Sequence, residues 1–402
     1  MTQTHSDQDH SIVIAGAGYG GLHVAQRMAP FLRRHSDIRL MLVDQNPYHQ
    51  LITELPRVTS GERTVGQVQV DLEQVLSTVV EFKQSEITAI CPAENRLEST
   101  TGSIGYERLV LALGSRPNDF NIAGLSEQVL YPYTPEGARE VWEAVNNAVS
   151  AAAQAPDDAE RRRLLTVAIG GGGASGVEIA GGFAEELPQL AIEHGLDPAL
   201  VRVVLVEAGH TILGGSSAEL IAKASQILQQ LKVQVRTNAV IAEALPQGFR
   251  LKSGELVSAG TYVWAGGVKA NPVVAGCGLQ VGYNGRIKVD PYLRALGYVN
   301  IYVVGDLASV VDEETGLALP PLAQVALAEA DSVAENLQAE SEGGSLSPFS
   351  YRDRGFVVSV GRSGVAQIRG FAIGGRLAHA LKDAIEWEYR QSVKRFGGRG
   401  AI

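Results

Sequence analysis

An α/β protein with two open parallel sheets is the fold class that this 402-residue sequence predicts, and three observations carry that expectation. The apolar run Ser11-Ile-Val-Ile-Ala15 enters Gly16-Ala-Gly-Tyr-Gly-Gly21, and a helix-compatible pattern with Leu22, Val24, Ala25 and Met28 follows. The same order returns at Leu164–Ile169, Gly171-Gly-Gly-Ala-Ser-Gly176 and residues 177–187. Each unit then reaches a second apolar run that closes on an acid. The first ends at Asp44, 28 residues after Gly16, and the second at Glu207, 36 residues after Gly171.

Each glycine of such a turn has its own task. Gly16 and Gly171 allow the tight turn, Gly18 and Gly173 let a pyrophosphate approach the backbone, and Gly21 and Gly176 let helix and strand pack closely. The helix N-terminus that follows offers free N–H groups and a partial positive charge to phosphates. The terminal acid suits the hydroxyls of a ribose. One GxGxxG among 45 glycines would be weak. The whole order twice predicts two Rossmann-like dinucleotide-binding domains and therefore two nucleotides.

Composition fits this class. With 45% hydrophobic and 19% charged residues the chain is an ordinary globular one of two or three domains. A formal net charge of -10 argues against a nucleic-acid binder. Cys91 and Cys277 are isolated, so neither a dithiol nor a thiolate metal site is expected, and both read as small buried apolar residues. Met1–His10 reads as a disordered polar tail, with His5 and His10 solvated. The longest charge-poor run, Thr166–Ala184, contains Glu178 and is broken by glycines, so no transmembrane span is predicted.

The remaining elements follow in order. Asn46-Pro-Tyr-His49 reads as a turn, Leu51–Gly61 stays open between helix and loop, and Val68–Val80 mixes periods. Arg108–Leu113 is a strand that stops at Gly114. Glu136–Ala153 reads as a helix because Val141, Val145 and Val149 recur every four residues. Gln154–Arg163, with Pro156 and three consecutive arginines, reads as a solvated connection. Thr261–Trp264 and Asn300–Val304 are strands that stop at glycine, the carboxyl ends where open α/β sheets hold ligands. Pro320-Pro321 opens a helix, Tyr351–Gly375 suggests short strands, and Arg376–Phe396 is helical. In the last helix Leu377, Leu381, Ile385, Tyr389 and Val393 share one face.

From Ser11 to about Gly397 the chain resembles the type II NADH:quinone oxidoreductases, which belong to the flavoproteins with two dinucleotide-binding domains. The resemblance rests on Gly-Ala-Gly-Tyr-Gly-Gly-Leu at 16–22, Asn-Pro-Tyr-His at 46–49 and Thr53-Glu54-Leu55. It also rests on Gly176-Val177-Glu178, Val-Trp-Ala-Gly-Gly-Val at 263–268, Val304-Gly305-Asp306 and Ala-Gln-Val-Ala at 323–326. It implies FAD in the first unit, with Gly16, Gly18 and Gly21 at the pyrophosphate, Asp44 on the adenosine ribose and Asp306 on the ribityl chain. It implies NADH in the second, through Gly171, Gly173, Gly176 and Glu207, whose carboxylate would repel the 2′-phosphate of NADPH.

The same resemblance implies an NADH-binding domain, residues 121–288, inserted between the two parts of a flavin domain, residues 8–120 and 289–345. A C-terminal region, 346–402, of short strands and an amphipathic helix follows. It implies roles for Glu178 at the stacked nicotinamide and flavin, Gln324 at the quinone side and Lys382 near the flavin. From the residues alone, Glu178 also reads as a first-turn carboxylate complementing a helix dipole, Gln324 as a polar helix-start residue, and Lys382 as a solvated helix charge. Trp264 and Trp387 read as packing residues.

The match fails in two places. Ala328 stands where the family often has a second glutamine, and the chain's end, Val393-Lys-Arg-Phe-Gly-Gly-Arg399, is less apolar than the family's. The C-terminal helix either docks its apolar face on the flavin domain or rests, through Arg376, Lys382, Arg390, Lys394, Arg395 and Arg399, on the cytoplasmic surface of an anionic membrane. A homodimer is a further expectation. The rival functions are an NADH-dependent reductase of another acceptor, such as a ferredoxin, and a redox sensor of the apoptosis-inducing-factor kind. Sulfide:quinone and disulfide reductases are disfavoured because both use paired cysteines.

Overall fold

The computed structural model describes residues 10–312, 316–368 and 370–396. The first unit begins with strand β1 (His10–Ala15), helix α1 (Tyr19–Leu32), β2 (Leu40–Asp44) and β3 (Val80–Gln84). A hairpin, β4 (Ile87–Cys91) and β5 (Arg96–Ser99), leads into the long β6 (Gly102–Leu111). The early half of β6 pairs antiparallel with β5, and the later half pairs parallel with β1. The parallel order is β3-β2-β1-β6. Its residues Val13 to Ala15 and Leu109 to Leu111 are fully buried, since cores lie on both faces. A doubly covered sheet needs apolar residues at successive positions, so its strands are continuous runs rather than alternations.

The chain leaves this sheet through β7 (Ser115–Pro117) and helix α2 (Pro135–Ala152). Helix α2 starts where its sequence says it should. Thr134 accepts the N–H of Gly137, and Pro135 fills the first helical position. Val141, Val145 and Val149 are buried at no more than 2% exposure, each contributing about 1.5–3 kcal/mol. Val145→Asp would place a charge in that stripe and break the packing.

The second unit repeats the first: β8 (Thr166–Gly170), α3 (Ala174–Glu193), β9 (Arg202–Val206), β10 (Gln234–Arg236) and β11 (Thr261–Trp264). The sheet order is β10-β9-β8-β11, all parallel. Strand β12 (Val268–Ala270) then pairs antiparallel with β7, and this two-stranded link carries the chain both ways between the units. Ala270, Val274, Leu279 and Ile287 already pack in the core of the first sheet, ahead of residue 289. Strand β13 (Ile301–Val303) adds to β6, and helix α4 (Ala323–Ser341) packs on α1.

The C-terminal region is an antiparallel sheet of β14 (Phe356–Val360), β15 (Ser363–Ile368) and β16 (Phe371–Gly374), closed by helix α5 (Arg376–Phe396). Three expectations change. Asp158–Leu164 is a short helix, capped by Asp157 on the N–H of Glu160, although none of its residues is buried. His10 starts β1; His5 and the rest of 1–9 lie outside the described residues. Cys91 and Cys277 are free and half-buried, not buried.

Candidate active site

The two glycine turns are built alike. Gly16 and Gly171 have φ of 106° and 108°, and an added Cβ would lie 2.3 Å from the carbonyl of Ala112 and 2.4 Å from that of Ala265. At Gly21 and Gly176 a Cβ would lie 1.9 Å from the carbonyl of Gly16 and of Gly171. Above Gly18 and Gly173 a Cβ would meet nothing within 4 Å. That open space faces the start of α1 and of α3, where unpaired amides and the dipole favour phosphate. The acids reach back to the same turns. Asp44 Oδ2 accepts the N–H of Ala17 at 2.6 Å, and Glu207 Oε2 accepts that of Gly172 at 2.6 Å. A carboxylate has about four lone-pair sites, so each keeps capacity for a ribose hydroxyl. Burial pushes the Asp44 carboxyl up.

Asp306 stands in the turn after β13, close to the end of β6. Its Oδ2 accepts the hydroxyl of Ser115 at 2.5 Å, and Ser115 Oγ lies in turn 2.7 Å from the hydroxyl of Tyr133. Burial pushes the Asp306 carboxyl up, against the Ser115 bond and the Arg286 charge. Burial also pushes the Tyr133 hydroxyl up to about 12. Below this turn Glu329, on α4, accepts the N–H of Gly305 at 2.5 Å through Oε2. Its other oxygen is buried with no hydrogen-bond partner.

Glu178 is not a first-turn residue. It lies in the second turn of α3, where its Oε1 accepts the N–H of Ser359 at 3.0 Å and pairs with Lys382 of α5. Both side chains are buried, at 9% and 10% exposure, which sets aside the dipole reading of Glu178 and the solvated reading of Lys382. They line a cavity of about 20 Å³, together with Arg57, Ser60 and Ser359. That volume holds about one water. Gln324, second residue of α4, donates to the carbonyl of Gly355 at 3.0 Å. Residue 355 precedes Ser359 by four, about 13 Å of extended chain. Glu178 and Gln324 therefore stand at opposite ends of one strand.

Several participants carry no local sequence signal. A cluster of buried Glu54, Arg57 and Glu386 with half-buried Arg63 and Arg390 joins α5 to residues 54–63. Ser115 and Tyr133 are likewise distant from the motifs they complete. Trp264 packs at 7% exposure, but Trp387, read as a packing residue, is 62% exposed. The buried side of α5 carries Ala378, Lys382, Glu386 and Val393, while Leu377 and Ile385 face outward at 70% and 48% exposure. The outward face sets aside docking of that whole apolar stripe on the flavin domain.

Two parallel sheets, two glycine turns and two returning acids define a protein with two Rossmann-type nucleotide-binding domains. A sequence model described as pyridine nucleotide-disulphide oxidoreductase matches residues 10–330. The chain belongs to the type II NADH:quinone oxidoreductase family: over 396 residues it is 30% identical to the type II NADH:quinone oxidoreductase of Staphylococcus aureus (strain NCTC 8325 / PS 47), covering 97% of this chain and 96% of that one. Among solved structures it is similar to NDH2 from Plasmodium falciparum in complex with NADH, with TM-score 0.85, 17% identity and coverage of 98% and 96%. It is also similar to the sulfide:quinone oxidoreductase of Aquifex aeolicus, with TM-score 0.78, 19% identity and coverage of 97% and 92%.

Proposed function

We propose that this protein oxidises NADH and passes two electrons through FAD to a quinone, without pumping protons. The observation that carries this reading is the duplicated glycine turn with its returning acid, on a chain that matches its quinone-reducing relative almost end to end. FAD, when bound, supplies the two-electron chemistry between a hydride donor and a quinone.

The residues fit that group. Gly16, Gly18 and Gly21 leave room for a pyrophosphate at the start of α1, Asp44 takes the adenosine ribose, and Asp306 takes a ribityl hydroxyl. In the second unit Gly171, Gly173 and Gly176 hold the pyrophosphate of NADH, and Glu207 accepts from its ribose 2′-hydroxyl. A carboxylate there disfavours NADPH by charge repulsion. Glu178, desolvated and paired with Lys382, orients the nicotinamide amide and, with a water in the neighbouring cavity, moves protons. Gln324 can donate to a quinone carbonyl and accept from the quinol hydroxyl.

No helix among the described residues is long and apolar enough to cross a membrane. The outward face of α5, with Leu377, Ile385 and Trp387, and the neighbouring Phe371 at 75% exposure, would rest on the cytoplasmic face of the cell membrane. A homodimer through the same face is the alternative, and light scattering of the detergent-free protein separates the two. The function itself is tested by steady-state assay with NADH, NADPH and a soluble quinone. NADH oxidation that depends on the quinone supports it, and no NADH oxidation by the FAD-loaded protein sinks it.

A further inference from the structure

Ala17, at the centre of the first glycine turn, is held through both of its flanking peptide groups. Asp44 takes the N–H of Ala17, and His49 Nδ1 lies 2.9 Å from the Ala17 carbonyl. A carbonyl has no proton to give, so Nδ1 carries the hydrogen and Nε2 of a neutral ring is an acceptor. That acceptor is met at 2.9 Å by the hydroxyl of Tyr389, on α5. His49 is fully buried, and burial pushes its imidazole down to about 4, so the ring stays neutral. Tyr389 is fixed in turn by stacking on Tyr19, with centroids 4.5 Å apart and planes at 15°, and the Tyr19 hydroxyl lies 3.1 Å from that of Thr53.

The direction of that carbonyl matters. A trans peptide is planar and sets its C=O and N–H on opposite sides. Fixing the Ala17 oxygen toward His49 therefore turns the Gly18 N–H away from it. Gly18 caps α1, beside the open space assigned to the pyrophosphate.

The second unit shows that the bond is built, since the equivalent carbonyl is also held there. Gly172 accepts from the backbone N–H of Leu213 at 2.8 Å. That donor is a main-chain group of the same unit. In the first unit the donor is a side chain whose own partner lies 340 residues on, in the last helix.

We propose that His49 and Tyr389 are positioning residues for the cofactor of the first unit, through which the docked C-terminal helix sets the glycine turn and hence the retention of FAD. The inference rests on the reading of that unit as the FAD site. Helix α5 is seated for this role by the carbonyl of Val393, which accepts from Gln26 of α1 at 3.1 Å, and by Arg390, which reaches Glu54 at 2.6 Å.

The test measures the FAD dissociation constant of the full-length apoprotein by titration. Tyr389→Phe removes the hydroxyl and keeps the ring on Tyr19. It should weaken FAD about five-fold, the loss that corresponds to one hydrogen bond of ~1 kcal/mol. His49→Asn should weaken it at least as much, and Tyr389→Phe added to His49→Asn should cost nothing further, because the hydroxyl acts through the ring. NAD+ binding at saturating FAD should stay unchanged in all three proteins. Unchanged FAD affinity in Tyr389→Phe, additive losses in the double variant, or an equal loss of NAD+ binding would each overturn the proposal. A wild-type apoprotein that takes up no FAD would instead defeat the assignment of the first unit.

Discussion

Replacing Glu329 with Gln should change how stability depends on pH, and the structure sets the size of the effect. Glu329 is fully buried on α4, beneath the turn that carries Asp306. Burial pushes its carboxyl from 4.5 up to about 8, despite the Gly305 bond and the Arg286 charge. The unfolded chain releases this proton near 4.5, whereas the native protein keeps it until about 8. Between those values the native state binds more protons, so stability falls as pH rises and levels off above 8. The full displacement corresponds to about 5 kcal/mol, at 1.36 kcal/mol per pH unit. Glu329→Gln keeps an acceptor for Gly305 and is neutral throughout. Its advantage over wild type should therefore grow by about 3 kcal/mol from pH 5.5 to 8. With unfolding entropy of about 2.1 cal/mol/K per residue, that is about 4 °C in Tm for a chain of this length. The assay is thermal unfolding of both apoproteins across pH 5.5–8.5. Groups common to both proteins, such as His49, cancel in the difference. A Tm difference that stays constant over this range would refute the reasoning.

Four other predictions follow from the same geometry. Gly176→Ala, whose Cβ would lie 1.9 Å from the Gly171 carbonyl, should abolish NADH binding while FAD is retained; loss of both would argue against two separable units. Glu207→Ala should weaken NADH by about 10- to 100-fold, the worth of a hydrogen bond to a charged group, and narrow the gap to NADPH, read from kcat/KM for each. Gln324→Ala should slow the quinone half-reaction by about ten-fold and leave reduction by NADH unchanged, as stopped-flow measurement of each half-reaction will show. Removing residues 376–402 should abolish co-sedimentation with anionic liposomes, and equal binding by both forms would remove the surface attachment.

The glycine turns were legible because each steric demand selects a residue type: no other side chain fits 1.9 Å from a carbonyl oxygen, as at Gly21 and Gly176. The central strands were legible because burial on both faces makes them continuous apolar runs. Helix α5 was legible in extent but not in orientation. Its leucines and Ile385 recur on one face, yet the protein buries Lys382 and Glu386, whose partners Glu178, Arg57 and Arg63 lie some 200 to 330 residues away. The Asp158–Leu164 helix was missed because it rests on a cap and on pairs such as Arg163–Glu160, not on an apolar period. His49 was visible only as part of a turn motif; its bond to Tyr389 is a tertiary fact with no spacing rule.

By this reading one chain takes electrons from NADH at its second glycine turn and delivers them to quinone through a flavin at its first. Anaerobic mixing of the purified, FAD-loaded protein with NADH, followed by a soluble quinone, tests it most directly. The flavin's visible absorption should bleach with NADH, far more slowly with NADPH, and return when the quinone is added. A flavin that NADH does not bleach, or one bleached by NADH that quinone does not restore, would contradict it.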